Sequence, residues 1–153
     1  MWIAVEQAFG MVFEPYTLMV MVLASFYGLF VGAVPGLTAT MATALLVPVT
    51  FFMAPIPAIA AIVTATAMAI FSGDIPGCLL RIPGTPASAA YTDEAYATTR
   101  KGQAETALGA GLVFSAVGGL FGTIVLVVAA PALAEFATQF SSFEYFWLVT
   151  LGL

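Results

Sequence analysis

The sequence contains no histidine, only one cysteine, and only three lysine or arginine residues in 153. The lack of histidine excludes Ser-His and Cys-His nucleophilic catalysis and histidine-based zinc sites. A single cysteine, Cys78, excludes a disulfide within the chain. Because nucleic-acid binding requires clustered lysine and arginine to neutralise phosphates, so few cations in a chain of net charge −5 argue against a nucleic-acid partner.

Charged residues of either sign are scarce, at 7% of the chain, whereas hydrophobic residues make up 62%. No charged residue lies between Glu14 and Asp74, and a second uncharged stretch covers residues 106–134. Since about 20 mostly apolar residues suffice for a helix to cross a bilayer, the first stretch has room for two or three crossings and the second for one. The composition therefore predicts an all-α, polytopic helical membrane protein.

Proline, glycine and the remaining charges divide the chain into segments. An interfacial segment is expected at 1–16, since its aromatic residues suit the headgroup region. The predicted spans are 17–34, 37–52, 58–72 and 107–130, with a re-entrant segment at 74–90, a polar loop at 91–105 and an incomplete span at 143–153. Because that last run is too short to cross a bilayer, we expect the chain to be the N-terminal part of a longer membrane domain. Arg100 and Lys101 predict that the polar loop is cytoplasmic.

Two Pro-Gly motifs align with each other without a gap. They are Val34-Pro35-Gly36-Leu37-Thr38-Ala39-Thr40 and Ile82-Pro83-Gly84-Thr85-Pro86-Ala87-Ser88. Each ends an apolar run with a strong turn signal and then offers hydroxyls where a new helix can begin. In a membrane protein this pattern is typical of broken or re-entrant helices whose backbone faces a substrate.

These motifs predict an anion-binding site. The first turn of a helix has unpaired N–H groups that attract anions, and threonine and serine hydroxyls can donate to carboxylate oxygens. The candidate substrate-binding residues are Pro35, Gly36, Thr38, Ala39, Thr40, Pro83, Gly84, Thr85, Pro86, Ala87 and Ser88. The alternative is that both motifs are ordinary capped turns between spans.

Two charged residues and one glycine face carry further hypotheses. Arg81 is a candidate ligand for a substrate carboxylate; alternatively, it pairs with Asp74 or extends to the membrane surface. Asp74 is a candidate site for a coupling ion or proton. Gly28, Gly32 and Gly36 recur every four residues, so this face either packs against another helix or forms one wall of a substrate path.

The chain resembles the large membrane subunit of tripartite tricarboxylate transporters. The likeness rests on the two Pro-Gly motifs and on three shorter segments: Lys101-Gly102-Gln103-Ala104, Gly118-Gly119-Leu120-Phe121-Gly122 and Glu144-Tyr145-Phe146. The resemblance implies a multi-pass secondary carrier of the bacterial inner membrane. We expect no cofactor or metal site. It further implies a small membrane subunit and a periplasmic substrate-binding protein as partners, and ion-driven uptake of organic anions such as citrate.

Two other functions are compatible with parts of the sequence. One is a non-transporting membrane scaffold, or a truncated fragment of such a carrier. The other is an intramembrane hydrolase, which without histidine would need a Ser-Lys or carboxylate pair. Since Lys101 lies in the polar loop, far in sequence from the candidate serine, a carrier subunit is the better interpretation.

Overall fold

A computed structural model describes residues 2–138 and 140–152, and every regular element in these ranges is helical. The elements are α1 (Trp2–Val12), α2 (Pro15–Ala33), α3 (Ala39–Thr50), α4 (Pro55–Ser72), α5 (Asp74–Leu80), a short 3₁₀ helix (Ser88–Ala90), α6 (Thr92–Arg100), α7 (Ala104–Ala137) and α8 (Ser142–Gly152). The chain forms two compact units, Met1–Leu112 and Val113–Leu153, which are described separately.

Three helical segments within the described residues are long and apolar enough to cross a membrane. They are Pro15–Ala33, Pro55–Leu80 and Ala104–Ala137. The second comprises α4 and α5, which follow each other directly at Gly73. α3 is also apolar but has only 12 residues. The protein is thus an all-α membrane protein, as its composition predicts.

The core of the first unit is the close contact of α2 with α4. Cβ atoms built on Gly28 and Gly32 would collide with the α4 backbone at Ala65 and Ala69, respectively. Small residues on both helices let the two backbones come into contact. This close packing increases the dispersion contacts, on which helix association in a membrane depends because lipid is as apolar as the side chains. The packing interpretation of this glycine face therefore holds for Gly28 and Gly32.

Polar side chains join α3 to this pair of helices. The Tyr27 hydroxyl of α2 donates to the backbone oxygen of Ala42 at 2.9 Å, and the Thr43 and Thr66 hydroxyls share a hydrogen bond of 2.9 Å. Such bonds between membrane helices contribute about 0.6 kcal/mol each on average. They fix the position of α3 against both α2 and α4, and α3 carries half of the site described below.

The polar segment 91–105 is not an open loop, because α6 occupies most of it. Asp93 lies in the first turn of this helix and Arg100 in the last, so both charges complement the helix dipole. The Thr98 and Thr99 hydroxyls donate to backbone oxygens four residues earlier, at 2.8 and 2.9 Å. The expectation of a loop was wrong, because acidic residues at the start and a basic residue at the end of a short polar segment stabilise a helix there.

Proline positions also shift two helix ends from those expected. α4 begins at Pro55 rather than at residue 58, since a proline in the first turn sacrifices no helical hydrogen bond. α7 continues through Pro131 to Ala137, where an end at residue 130 was expected. Proline is tolerated inside membrane helices when neighbouring groups satisfy the freed carbonyl.

The second unit consists of the C-terminal part of α7, from Val113, and α8. Its apolar side chains are largely exposed: Trp147 is 63% accessible and Leu151 is 84% accessible. Gly118 and Gly122 have open space where a Cβ would lie, unlike Gly28 and Gly32 in the first unit.

Candidate functional site

The first Pro-Gly motif reverses the chain between α2 and α3. Gly36 adopts φ +91°, a left-handed conformation that side chains disfavour, which explains why glycine follows Pro35. Thr38 is then the N-cap of α3, and its Oγ1 accepts a hydrogen bond of 3.2 Å from the Met41 N–H. The N–H groups of Ala39 and Thr40 lie in the first helical turn, where no intrahelical acceptor exists.

The second motif follows α5 and is closed by a reciprocal hydrogen-bond ring. The Thr85 N–H donates to Ser88 Oγ at 3.0 Å, and the Ser88 N–H donates to Thr85 Oγ1 at 3.0 Å. The Ser88 hydroxyl in turn donates to the Thr85 backbone oxygen at 2.9 Å. Ser88 is only 1% exposed, so its hydroxyl holds the loop together rather than facing open space.

The loop of the second motif packs directly on the end of α4. A Cβ on Gly84 would collide with the Gly73 backbone, and a Cβ on Gly73 would lie 2.8 Å from Thr85 Cγ2. The absence of side chains at both glycines therefore allows the loop to lie against the junction of α4 and α5. This contact determines where residues 84–87 are presented.

The two motifs face a common cavity of about 430 Å³. Its walls are Thr38, Ala39 and Thr40 at the start of α3, Gly84, Thr85, Pro86 and Ala87 of the second loop, and Ile70 of α4. The two motifs that align in sequence thus also lie close together in the structure.

The lining of the cavity is mainly apolar and offers a few hydrogen-bond donors. Thr38 and Thr85 each accept a backbone hydrogen bond, which leaves the hydroxyl proton of each available to a ligand. Thr40 makes no side-chain hydrogen bond within the described residues and can also donate. No charged side chain is among the lining residues, so the first turn of α3 and the hydroxyls supply its polar character.

Other candidate residues shape the cavity without lining it. Pro35 and Gly36 form the turn that leads into α3, Pro83 precedes the lining part of the second loop, and Ser88 closes that loop. Arg81 also lies outside the lining.

Arg81 pairs with Asp93, not with Asp74. Its Nε donates to Asp93 Oδ1 at 2.7 Å, and the two side chains are 62% and 70% exposed. Arg81 caps α5 in the left-handed conformation, φ 60°, which directs the chain toward α6. The hydrogen bond from Arg81 and its positive charge lower the pKa of the Asp93 carboxyl.

Asp74 lies at the start of α5 and is buried, at 6% exposure. The Tyr91 hydroxyl donates to Asp74 Oδ1 at 2.6 Å, and a Cβ on Gly111 of α7 would lie 2.9 Å from Oδ2. Partial burial of the Tyr91 hydroxyl and its hydrogen bond to Asp74 raise the pKa of Tyr91, so this hydroxyl stays protonated and remains a donor. The Asp74 carboxylate thus lies near three segments: the start of α5, the residue that precedes α6, and α7.

Sequence reasoning missed Ile70 and Tyr91. Ile70 is one apolar residue among many in an apolar helix, so no local signal identified it. Tyr91 immediately follows the second motif, and an aromatic hydroxyl at the edge of an apolar segment was the available signal. Within the described residues, no group of three or more His, Cys, Asp or Glu side chains is placed to hold a metal ion.

Comparison with known proteins gives a consistent identification. A curated relative, the "Uncharacterized 52.8 kDa protein in TAR-I ttuC' 3'region" of Agrobacterium vitis, is 35% identical over 126 residues, which are 82% of this chain and 25% of that protein. The chain therefore spans about a quarter of that relative's length. No solved structure matches significantly. The model of the tripartite tricarboxylate transporter TctA family matches residues 18–153, and the chain therefore belongs to that family.

Proposed function

We propose that this chain is part of the membrane subunit of a secondary, ion-coupled transporter that takes up tricarboxylates or related organic anions. It works with a small membrane subunit and a periplasmic substrate-binding protein in the bacterial inner membrane. The single observation that carries the proposal is the common cavity of the two Pro-Gly motifs. Membership of the TctA family supports transport of this substrate class.

The cavity supplies the interactions that a carboxylate requires. The first turn of α3, whose N–H groups have no intrahelical acceptor, and Thr85 of the second motif both line it. A substrate with two or three carboxylates can therefore be held at more than one point.

Asp74 is the proposed coupling residue. It is a buried carboxylate, and the single hydrogen bond to its side chain within the described residues comes from Tyr91. An ionisable group at membrane depth is expensive to bury, which is why such groups mark ion and proton pathways. Its position at the α4–α5 junction is next to Gly73, against which the second motif packs. Protonation or cation binding at Asp74 would thus act on the loop that lines the cavity.

Uptake by vesicles that contain the membrane subunit and its partners tests the cavity. Thr40→Val removes one donor, whereas Thr40→Ser keeps it, and a hydrogen bond to a charged group contributes about 1.5–3 kcal/mol. We expect Thr40→Val to raise the citrate concentration for half-maximal uptake by about ten- to a hundred-fold. Thr40→Ser should restore uptake to near the parental level.

Thr123→Val is the matched control, because this α7 threonine donates to the Gly119 backbone oxygen and is exposed. It should transport like the parent. If Thr40→Val also transports like the parent at matched expression, the two motifs are structural turns and the alternative of a non-transporting scaffold gains support.

A further inference from the structure

Ile70 is the one residue of the cavity wall that belongs to neither Pro-Gly motif. It lies near the C-terminal end of α4, between the start of α3 and the second loop, and is 48% exposed. It is also the largest apolar side chain in a wall that otherwise consists of threonine, alanine, glycine and proline. Its volume therefore takes up space that a ligand would otherwise occupy.

The backbone around Ile70 is held in place from two directions. One turn earlier on α4, Thr66 shares its hydrogen bond with Thr43 of α3. One turn later, Gly73 contacts the backbone of Gly84 in the second loop. Because isoleucine is branched at Cβ, its χ1 angle is also restricted in a helix. Ile70 thus lies on a stretch of α4 that contacts both α3 and the second loop on its two flanking turns.

We propose that Ile70 is the specificity-determining residue of the cavity and contacts the hydrocarbon part of a small carboxylate whose charged ends the two motifs hold. This inference rests on the proposed function. It adds that Ile70 selects among carboxylates according to the size of their hydrocarbon part. Threonine hydroxyls and backbone N–H groups recognise any carboxylate. Discrimination by size therefore falls to the one bulky side chain between them.

Other apolar residues of α4 have a different environment. Ile59 is 60% exposed on the same helix and is not among the residues that line the cavity. It provides a matched control, since the same substitutions can be made at an isoleucine of similar exposure in the same helix.

The test uses the membrane subunit with Ala87→Cys as a reporter in the cavity wall. Ala87 lines the cavity with a small side chain, and the native Cys78 is buried, at 2% exposure, so it reacts slowly. Alkylation by a maleimide is measured against increasing concentrations of succinate and of phenylsuccinate. These two probes carry the same pair of carboxylates and differ only in apolar bulk.

We expect Ile70→Ala to improve protection by phenylsuccinate relative to succinate by about tenfold or more, since pockets discriminate 10- to 200-fold per methylene-sized change. Ile70→Phe should shift the ratio in the opposite direction, and Ile70→Val should give a smaller shift of the same sign as alanine. Ile59→Ala and Ile59→Phe should leave the ratio unchanged.

Two negative results separate the inference from the function on which it rests. If both probes protect the reporter but no Ile70 variant changes their ratio, the carboxylate site stands and Ile70 does not select. If neither probe, nor citrate, protects the parental reporter, the cavity is not a carboxylate site and both proposals fail.

Discussion

Gly73 and Gly84 meet backbone to backbone, at the point where the second Pro-Gly motif lies on the junction of α4 and α5. No side chain separates the two segments. Gly84 lines the cavity together with the start of α3, and Asp74 directly follows Gly73 in sequence. The geometry of the site depends on a separation that only glycine permits.

Replacing Gly84 with alanine tests this contact. The added Cβ collides with the Gly73 backbone, which cannot move as a flexible side chain would, so the loop must shift away from α4. We expect Gly84→Ala to abolish citrate uptake and to reduce the thermal stability of the purified subunit. Gly109→Ala is the control, because nothing lies within 4 Å of a Cβ at that α7 position. Parental uptake by Gly84→Ala would contradict the importance of the contact.

Ser88 should behave as a structural residue rather than as a direct ligand. Ser88→Ala removes the acceptor of the partly buried Thr85 N–H, and an intramolecular hydrogen bond contributes about 0.5–1.5 kcal/mol. We therefore expect the free energy of unfolding to fall by that amount, measured by denaturant titration in detergent. Ser115→Ala, on the exposed surface of α7, should have no effect. Unchanged stability with lost substrate binding would instead make Ser88 a ligand.

The hydrogen bond between Tyr91 and Asp74 predicts coupled mutational effects. Tyr91→Phe removes the 2.6 Å bond to a buried carboxylate, and a hydrogen bond to a charged group contributes about 1.5–3 kcal/mol. Tyr91→Phe and Asp74→Ala each remove one partner of this bond, so each should lower stability, and the double variant should lower it by less than the sum. Tyr16→Phe is a control at a tyrosine of similar exposure, 48% against 42%. Additive effects would show that the two groups act independently.

Arg81 has a backbone conformation that glycine adopts more easily. Left-handed backbone costs an ordinary residue about 1–2 kcal/mol, so Arg81→Gly is expected to stabilise the protein by up to about 1 kcal/mol, with the loss of an exposed ion pair offsetting part of the gain. Thermal unfolding measures this change. Uptake should remain near the parental level, because Arg81 does not line the cavity. A large loss of uptake would restore Arg81 as a substrate ligand.

The same ion pair predicts a small pH dependence at acidic pH. The hydrogen bond and charge of Arg81 lower the pKa of Asp93 in the folded protein. The stabilisation by the Arg81–Asp93 pair is therefore fully present above the pKa of Asp93 in the unfolded chain, about 4. It is lost as pH falls through the lower pKa of Asp93 in the folded protein. Arg81→Gly lacks this contribution, so its stability advantage over the parent should grow as pH falls through this acidic window, measured between pH 5 and pH 2. Parallel curves for the two proteins would show that the pair contributes nothing.

The sequence by itself was sufficient for features that depend on neighbouring residues. Uncharged stretches predict membrane helices because burying charge in lipid is costly, and Pro35-Gly36 predicts a break because proline ends a helix and glycine permits positive φ. The N-cap role of a motif threonine follows from the same local chemistry, as Thr38 shows. The spacing of Gly28 and Gly32 indicated a helix face that can pack closely against another helix, but it did not identify α4 as that helix.

Only the tertiary structure decided which distant groups meet. The sequence offered Asp74 as an ion-pair partner of Arg81, whereas the fold brings Arg81 Nε to 2.7 Å from Asp93 Oδ1. Ile70 carries no local signal, and it becomes a cavity residue because α3 and the second loop pack on either side of α4. Such contacts depend on how helices pack against one another, and the alternation of apolar residues within one membrane helix does not encode a particular partner, since lipid and protein are equally apolar neighbours.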